Sequence, residues 1–125
     1  MASCSTDVFC TDKGLVIRSG RYVYIRGDTP RQRRWVAKVR EIVIEEGKEM
    51  LKITWMYHLN HLPRKIAKST SCNTYEIYNS IHHDEIEVEC VMDLVEVQKG
   101  VQTGGHTDCL RWYRTWDHEL GRLIG

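Results

Sequence analysis

The stretch "WVAKVREIVIEEGKEMLKITWMY", residues 35–57, constrains the fold most: two strand-length runs, dense in Val and Ile, meet at one glycine. β-Branched side chains are stiff at χ1 and fit a pleated strand better than a helix, so both runs are expected to be extended. Gly47, inside "EGKE" (46–49), supplies the positive φ of a tight hairpin. Period two in the second run puts Leu51, Ile53, Trp55 and Tyr57 on one face and Lys52, Thr54 and Met56 on the other.

Further strand signals surround this hairpin. "GRYVYIRG" (20–27) is a short strand bounded by glycines, followed by a turn and loop, "DTPRQRR" (28–34). Residues 58–74 form a long polar loop, and "YEIYNS" (75–80) is a short ordered segment. "EIEVECVMDLVEV" (85–97) alternates most cleanly, with Ile86, Val88, Cys90, Met92 and Leu94 opposite Glu87, Glu89 and Asp93. "QKGVQTGG" (98–105) is a turn-rich break. The tail 107–125 begins as strand and continues as helix, with Trp112 and Trp116 on one packed face. Residues 1–13, polar and small, are expected to be a flexible leader to a single domain over 14–125. The predicted fold is mostly β, a small bent sheet or partly open barrel with a short C-terminal helix.

Charge narrows the function classes. The 125 residues carry a formal net charge of +1, from 18 basic and 17 acidic side chains. A domain held to nucleic acid by bulk charge shows a strong basic excess, and this chain does not. Basic residues do cluster locally at "RQRR" (31–34) and "PRKIAK" (63–68). The five cysteines, at 4, 10, 72, 90 and 109, include no C-x-x-C and suit free thiols in a reducing compartment. The first twenty residues lack the apolar core of a signal peptide, and no run approaches a membrane span, so a soluble intracellular protein is expected.

Chemistry of the enzymatic kind finds little support. His58-x-x-His61 is a usable zinc spacing, but no paired cysteines accompany it and Cys90 falls on an apolar strand face. No motif marks a Cys/His nucleophile, and "GVQTGG" lacks the lysine of a phosphate loop. The expectation is a binding module with no metal and no cofactor.

The aromatics are more informative. Trp55 and Tyr57 project to one face about 7 Å apart, twice the rise per residue. If 35–46 and 50–57 pair around Gly47, Trp35 lies at the end of the ladder beside Tyr57, and three rings converge at one sheet edge. Such rings are either ordinary core or a box suited to a quaternary ammonium, whose charge each π face attracts.

"WVAKVREI", then "ITWMYH", then "EIYNSIHHDEIEVECVMDLVEV" together resemble the bromo-adjacent homology (BAH) family, most strongly over residues 15–98. One branch of that family reads trimethyl-lysine on the histone H3 tail. Its cage is an aromatic before "VA" followed by the Trp and Tyr of "W-x-Y", which correspond here to Trp35, Trp55 and Tyr57. The branch also carries "S-x-H-x-D", whose His and Asp touch tail residues beside the methylated lysine; here "SIHHD" supplies Ser80, His82 and Asp84. The chain departs from the pattern in three places: Trp35 stands where Tyr is usual, Leu59 replaces a Pro, and "EIY" replaces "E-[LI]-F".

The resemblance implies a nuclear, non-enzymatic chromatin reader, monomeric and without membrane contact. Its partner would be a methylated H3 tail on the nucleosome, with the Polycomb repressive mark favoured, and it would recruit repressive machinery for gene silencing. Arg31, Arg33 and Arg34 would be rim residues able to touch DNA phosphates weakly. The competing expectation is a BAH module serving as a methylation-independent protein–protein or nucleosome-docking scaffold.

Overall fold

A computed structural model describes residues 4–27, 34–71, 75–100 and 109–125. Its strands are β1 (Cys4–Thr6), β2 (Val8–Cys10), β3 (Val16–Arg18), β4 (Tyr22–Ile25), β5 (Trp35–Glu45) and β6 (Lys48–Met56). A six-residue helix, α1 (Arg64–Ser69), follows. Then come β7 (Asn79–Ser80), β8 (His83–Glu87), β9 (Val91–Val95), β10 (Val97–Lys99), β11 (Leu110–Trp112), β12 (Thr115–Asp117) and β13 (Arg122–Ile124).

The expected hairpin forms the spine of the molecule. β5 and β6 pair antiparallel from Val36↔Met56 to Glu45↔Lys48, across a two-residue loop. In that loop Glu46 and Gly47 both have positive φ, 53° and 77°. At Arg40 the register slips between Val39 and Glu41, and this bulge bends the long strand. Both faces of the hairpin are covered, since Val36, Ala37, Val39, Ile42, Val43, Leu51, Ile53, Thr54 and Met56 are all buried.

The main sheet runs β8-β6-β5-β4-β9, with β1 pairing the far end of β5. β8 and β9 stand at opposite ends of this path, although only residues 88–90 separate them in sequence. So short a link forces the sheet to curl until its two edges approach. They do not pair, and the result is a strongly bent, partly open barrel. Inside the curl lies the largest apolar cluster, built from Ile17, Val23, Ile25, Val39, Leu51 and Ile53 among others. Two smaller clusters pack outside it, one around Val36, Met56 and Ile77, the other around Leu62, Tyr78 and Trp116.

Four expectations differ from this architecture. The cleanly alternating run 85–97 is not one strand: a 3-10 turn at Val88–Cys90 carries the chain from one sheet edge to the other. Beyond that turn the inward position passes to Val91, and Met92 and Leu94 are exposed. Within the polar loop 58–74, Leu59–His61 form a 3-10 turn and 64–69 form α1. Pro63, with φ −52°, presets the chain for the helix, and Arg64, Lys65, Ala67 and Lys68 continue it as good helix formers. Residues 4–10, expected in the leader, form β1 against β5 and β2 against β3.

The tail contains no helix among its described residues. Instead β12 and β13 form a hairpin. The Asp117 carboxylate accepts the amides of Glu119 and Leu120 at 2.9 and 3.0 Å, and Gly121 (φ 69°) completes the turn. Trp116 is buried in the third cluster, whereas Trp112 packs on the second and donates its indole N–H to the Tyr22 hydroxyl at 3.0 Å. The two tryptophans therefore serve different cores.

Candidate functional site

The hairpin register carries Trp35 to the position facing Tyr57, one step past the Val36↔Met56 pair. Tyr57 leaves the β5 ladder and bridges to Tyr78, with reciprocal amide-to-carbonyl bonds of 2.7 and 2.8 Å. Trp35 and Trp55 pack on the margin of the main core, and Tyr57 on the margin of the third cluster. All three are half-buried. Trp35 and Trp55 meet edge to face, 5.8 Å between centroids at 64°. Together with Tyr57 they line an open cleft of about 580 Å³. Ile25, Arg26, Ile86 and Cys90 also line it.

The "SIHHD" residues surround this cleft in distinct ways. The Ser80 hydroxyl is buried, donating to the Trp55 carbonyl at 2.6 Å and accepting the His82 amide at 3.1 Å. His82 lines the cleft, and its Nδ1 lies 2.9 Å from the Tyr57 hydroxyl. Asp84, exposed on β8, accepts the Trp55 indole N–H at 3.1 Å and the Glu85 amide at 2.8 Å. Ser80 thus acts on the rings from inside, whereas His82 and Asp84 reach the surface. Burial raises the Tyr57 phenol above its ordinary pKa, so it remains a neutral hydroxyl.

Arg31 and Arg33 lie outside the described residues. Arg34 is exposed, with its guanidinium 5.5 Å from the Tyr24 ring centroid, and it is absent from the described lining of the cleft. Two histidines join the site that the pattern did not mark. His61 lines the cleft and stacks on Trp35, and His118, from the C-terminal hairpin, lies 6.3 Å from His82. The only sequence signal at His61 was its spacing from His58. Cys90 lies at the cleft and is a free thiol, as are Cys4, Cys10 and Cys109; Cys72 lies outside the described residues.

No protein-family profile matches the sequence, and no curated protein matches it. Among solved structures, the yeast Rsc2 BAH domain superposes with a TM-score of 0.74 over 91% of this chain, at 11% identity. The chain has the BAH fold. It spans 51% of the Rsc2 chain it matches. At such low identity the likeness is one of backbone, so the cleft chemistry of this BAH fold rests on its own residues.

Proposed function

We propose that this BAH fold is a nuclear chromatin reader, not an enzyme, which binds a trimethylated lysine of the histone H3 tail between Trp35, Trp55 and Tyr57. The observation that carries the reading is the convergence of three half-buried rings on one open cleft. A quaternary ammonium cannot donate a hydrogen bond and is recognised by π faces and apolar contact, each face contributing about 0.5–2 kcal/mol.

The surroundings suit an extended basic tail. β8 ends the sheet path beside the cleft, so its outer edge is available for β-augmentation. Its sequence, "HDEIE", is acidic and complements a basic peptide. His82 and Asp84 would contact the residues flanking the methylated lysine, and Ser80 would hold the Trp55 backbone and His82 in place. The Polycomb mark, on the core-proximal "ARKS" lysine, is the favoured ligand, and the module would bring repressive machinery to it. Arg34, with Arg31 and Arg33, would provide a weak DNA contact at the nucleosome.

Ordering a disordered tail offsets part of the interaction energy, so the expected Kd is on the order of 1–100 μM. A modified-histone peptide array probed with wild type and Trp35→Ala in parallel tests the reading. Trimethylated peptides should bind wild type only. Equal binding of methylated and unmethylated peptides would instead favour the scaffold role and overturn the reader.

A further inference from the structure

The free edge of β8 turns the main chain of every second residue outward. The Trp55 amide donates to the His82 carbonyl at 3.0 Å. From there the antiparallel register runs without a slip from Thr54↔His83 to Met50↔Glu87. Main-chain groups alternate sides along such a pair, so those of Asp84 and Ile86 face β6, and those of His83, Glu85 and Glu87 face away from it. The Glu85 amide agrees with this count, since it donates to the Asp84 carboxylate at 2.8 Å. No other described strand pairs with this edge.

Side chains alternate between the two faces of the sheet. His82 and Ile86 line the cleft, and Asp84, between them, holds the Trp55 indole. His83, Glu85 and Glu87 therefore share the opposite face, where the two carboxylates differ. Glu87 is paired with Lys48. Lys52, in register with Glu85, turns its ammonium to Glu41 at 3.8 Å. Glu85 is exposed and has no ion pair among the described residues.

A peptide strand added antiparallel to this edge inherits both alternations. With its methylated lysine opposite Asp84, on the cleft face, the residue before the lysine stands opposite Glu85 and the residue after it opposite His83. The residue two before falls opposite Ile86. The order "ARKS" fits this register, with alanine beside Ile86, arginine beside Glu85 and serine beside His83.

Resting on the reader function proposed above, we infer that Glu85 is a specificity residue, which pairs with an arginine directly preceding the trimethyl-lysine while the peptide main chain bonds the outward groups of His83 and Glu85. A peptide carbonyl takes the Glu85 amide from Asp84, whose other oxygen keeps the Trp55 indole. Arginine suits the place because its planar fork can offer two N–H groups to one carboxylate. The module thereby separates a trimethyl-lysine preceded by arginine from one preceded by a neutral residue.

The test measures the affinity of wild type, Glu85→Gln and Glu87→Gln for two trimethyl-lysine H3 peptides, one with the native arginine before the lysine and one with alanine there. Wild type should bind the arginine peptide about two- to fivefold more tightly, as expected of an opposite-charge cross-strand pair. Glu85→Gln should bind the two peptides within about 1.5-fold of each other, and Glu87→Gln should keep the wild-type ratio. An arginine preference that survives in Glu85→Gln, or is missing in wild type, overturns the inference while leaving the reader intact. The Glu85 amide resonance of wild type gives a second readout. Exchange of Asp84 for a peptide carbonyl must move it, and an unmoved resonance overturns the edge pairing and the arginine contact together. Should wild type bind trimethylated and unmodified peptides alike, the reader itself falls, and this contact with it.

Discussion

The Ser80 hydroxyl donates to the Trp55 carbonyl across 2.6 Å, tying β7 to the strand that bears Trp55 and leads into Tyr57. The same oxygen accepts the His82 amide, so one buried atom sets the spacing between the ring wall and the histidine opposite. Ser80→Ala leaves a carbonyl and an amide without this partner, and should reduce stability by about 1–3 kcal/mol. Denaturant unfolding measures that loss. Peptide affinity should fall as well, because the Trp55 amide, donating to the His82 carbonyl at 3.0 Å, is then the one remaining described hydrogen bond between the two residues; a variant that loses stability but keeps full affinity would show that Ser80 serves the fold alone.

Asp84 reaches the same tryptophan from the solvent side. Its carboxylate accepts the indole N–H at 3.1 Å and fixes the rotation of the ring about its side-chain bonds. Asp84→Ala should weaken trimethyl-lysine binding about three- to tenfold, the equivalent of one modest hydrogen bond, with little change in melting temperature. Asp84→Asn retains an acceptor oxygen and should fall between. The Trp55 indole resonance in a nitrogen-correlated spectrum should move in both variants, and an unmoved resonance would mean that Asp84 does not orient the ring.

The turn between β5 and β6 holds a non-glycine residue at positive φ, Glu46 at 53°, followed by Gly47 at 77°. Two-residue hairpins of this form favour Asn or Asp at the first position, since a short polar side chain tolerates the left-handed region. Glu46→Asn should therefore raise stability by about 0.5–1 kcal/mol, whereas Gly47→Ala should lower it by a similar or larger amount. Thermal melts of the two variants check the opposite signs. Ligand binding, at the other end of the ladder, should not change.

The rings and the hairpin were legible because their causes are local. β-Branched density, one glycine and period two are enough to bring Trp35, Trp55 and Tyr57 to one edge. The break at Val88–Cys90 was hidden because "VEC" continues the alternation without a flaw; the turn there answers a tertiary need, moving the chain between sheet edges. α1 is only six residues long, too short for helical periodicity to show. β1 and β2 draw their order from pairing with β5 and β3 rather than from their own composition. His61 had no signal as a cleft residue, since its place follows from a 3-10 turn within a polar stretch.

Behind the site, the C-terminal segment is fastened to the run that leads into Ser80. Arg114 grips Glu76 with Nε at 3.0 Å and Nη2 at 2.8 Å, and Nη2 also donates to the Ser71 carbonyl. The Glu76 side chain is only 2% exposed and that of Arg114 18%, so the pair is largely desolvated. The mutual attraction of such a pair offsets the loss of hydration only while both partners remain. Arg114→Leu takes the cation away from a buried carboxylate and should destabilise the fold by about 3–5 kcal/mol, and Glu76→Leu should cost less, since Arg114 is more exposed and keeps the Ser71 carbonyl. Replacing both removes both desolvation penalties, so the double variant should be more stable than either single one, with a coupling of roughly 0.5–3 kcal/mol in a thermodynamic cycle of urea unfolding. Additive losses would mean that the two charges are held by other partners. Because Glu76, bridged to Arg111 of β11, and Ser80, paired with Trp116 of β12, lie on one short run, the single variants should also blunt peptide binding, and the double variant should restore it in step with stability.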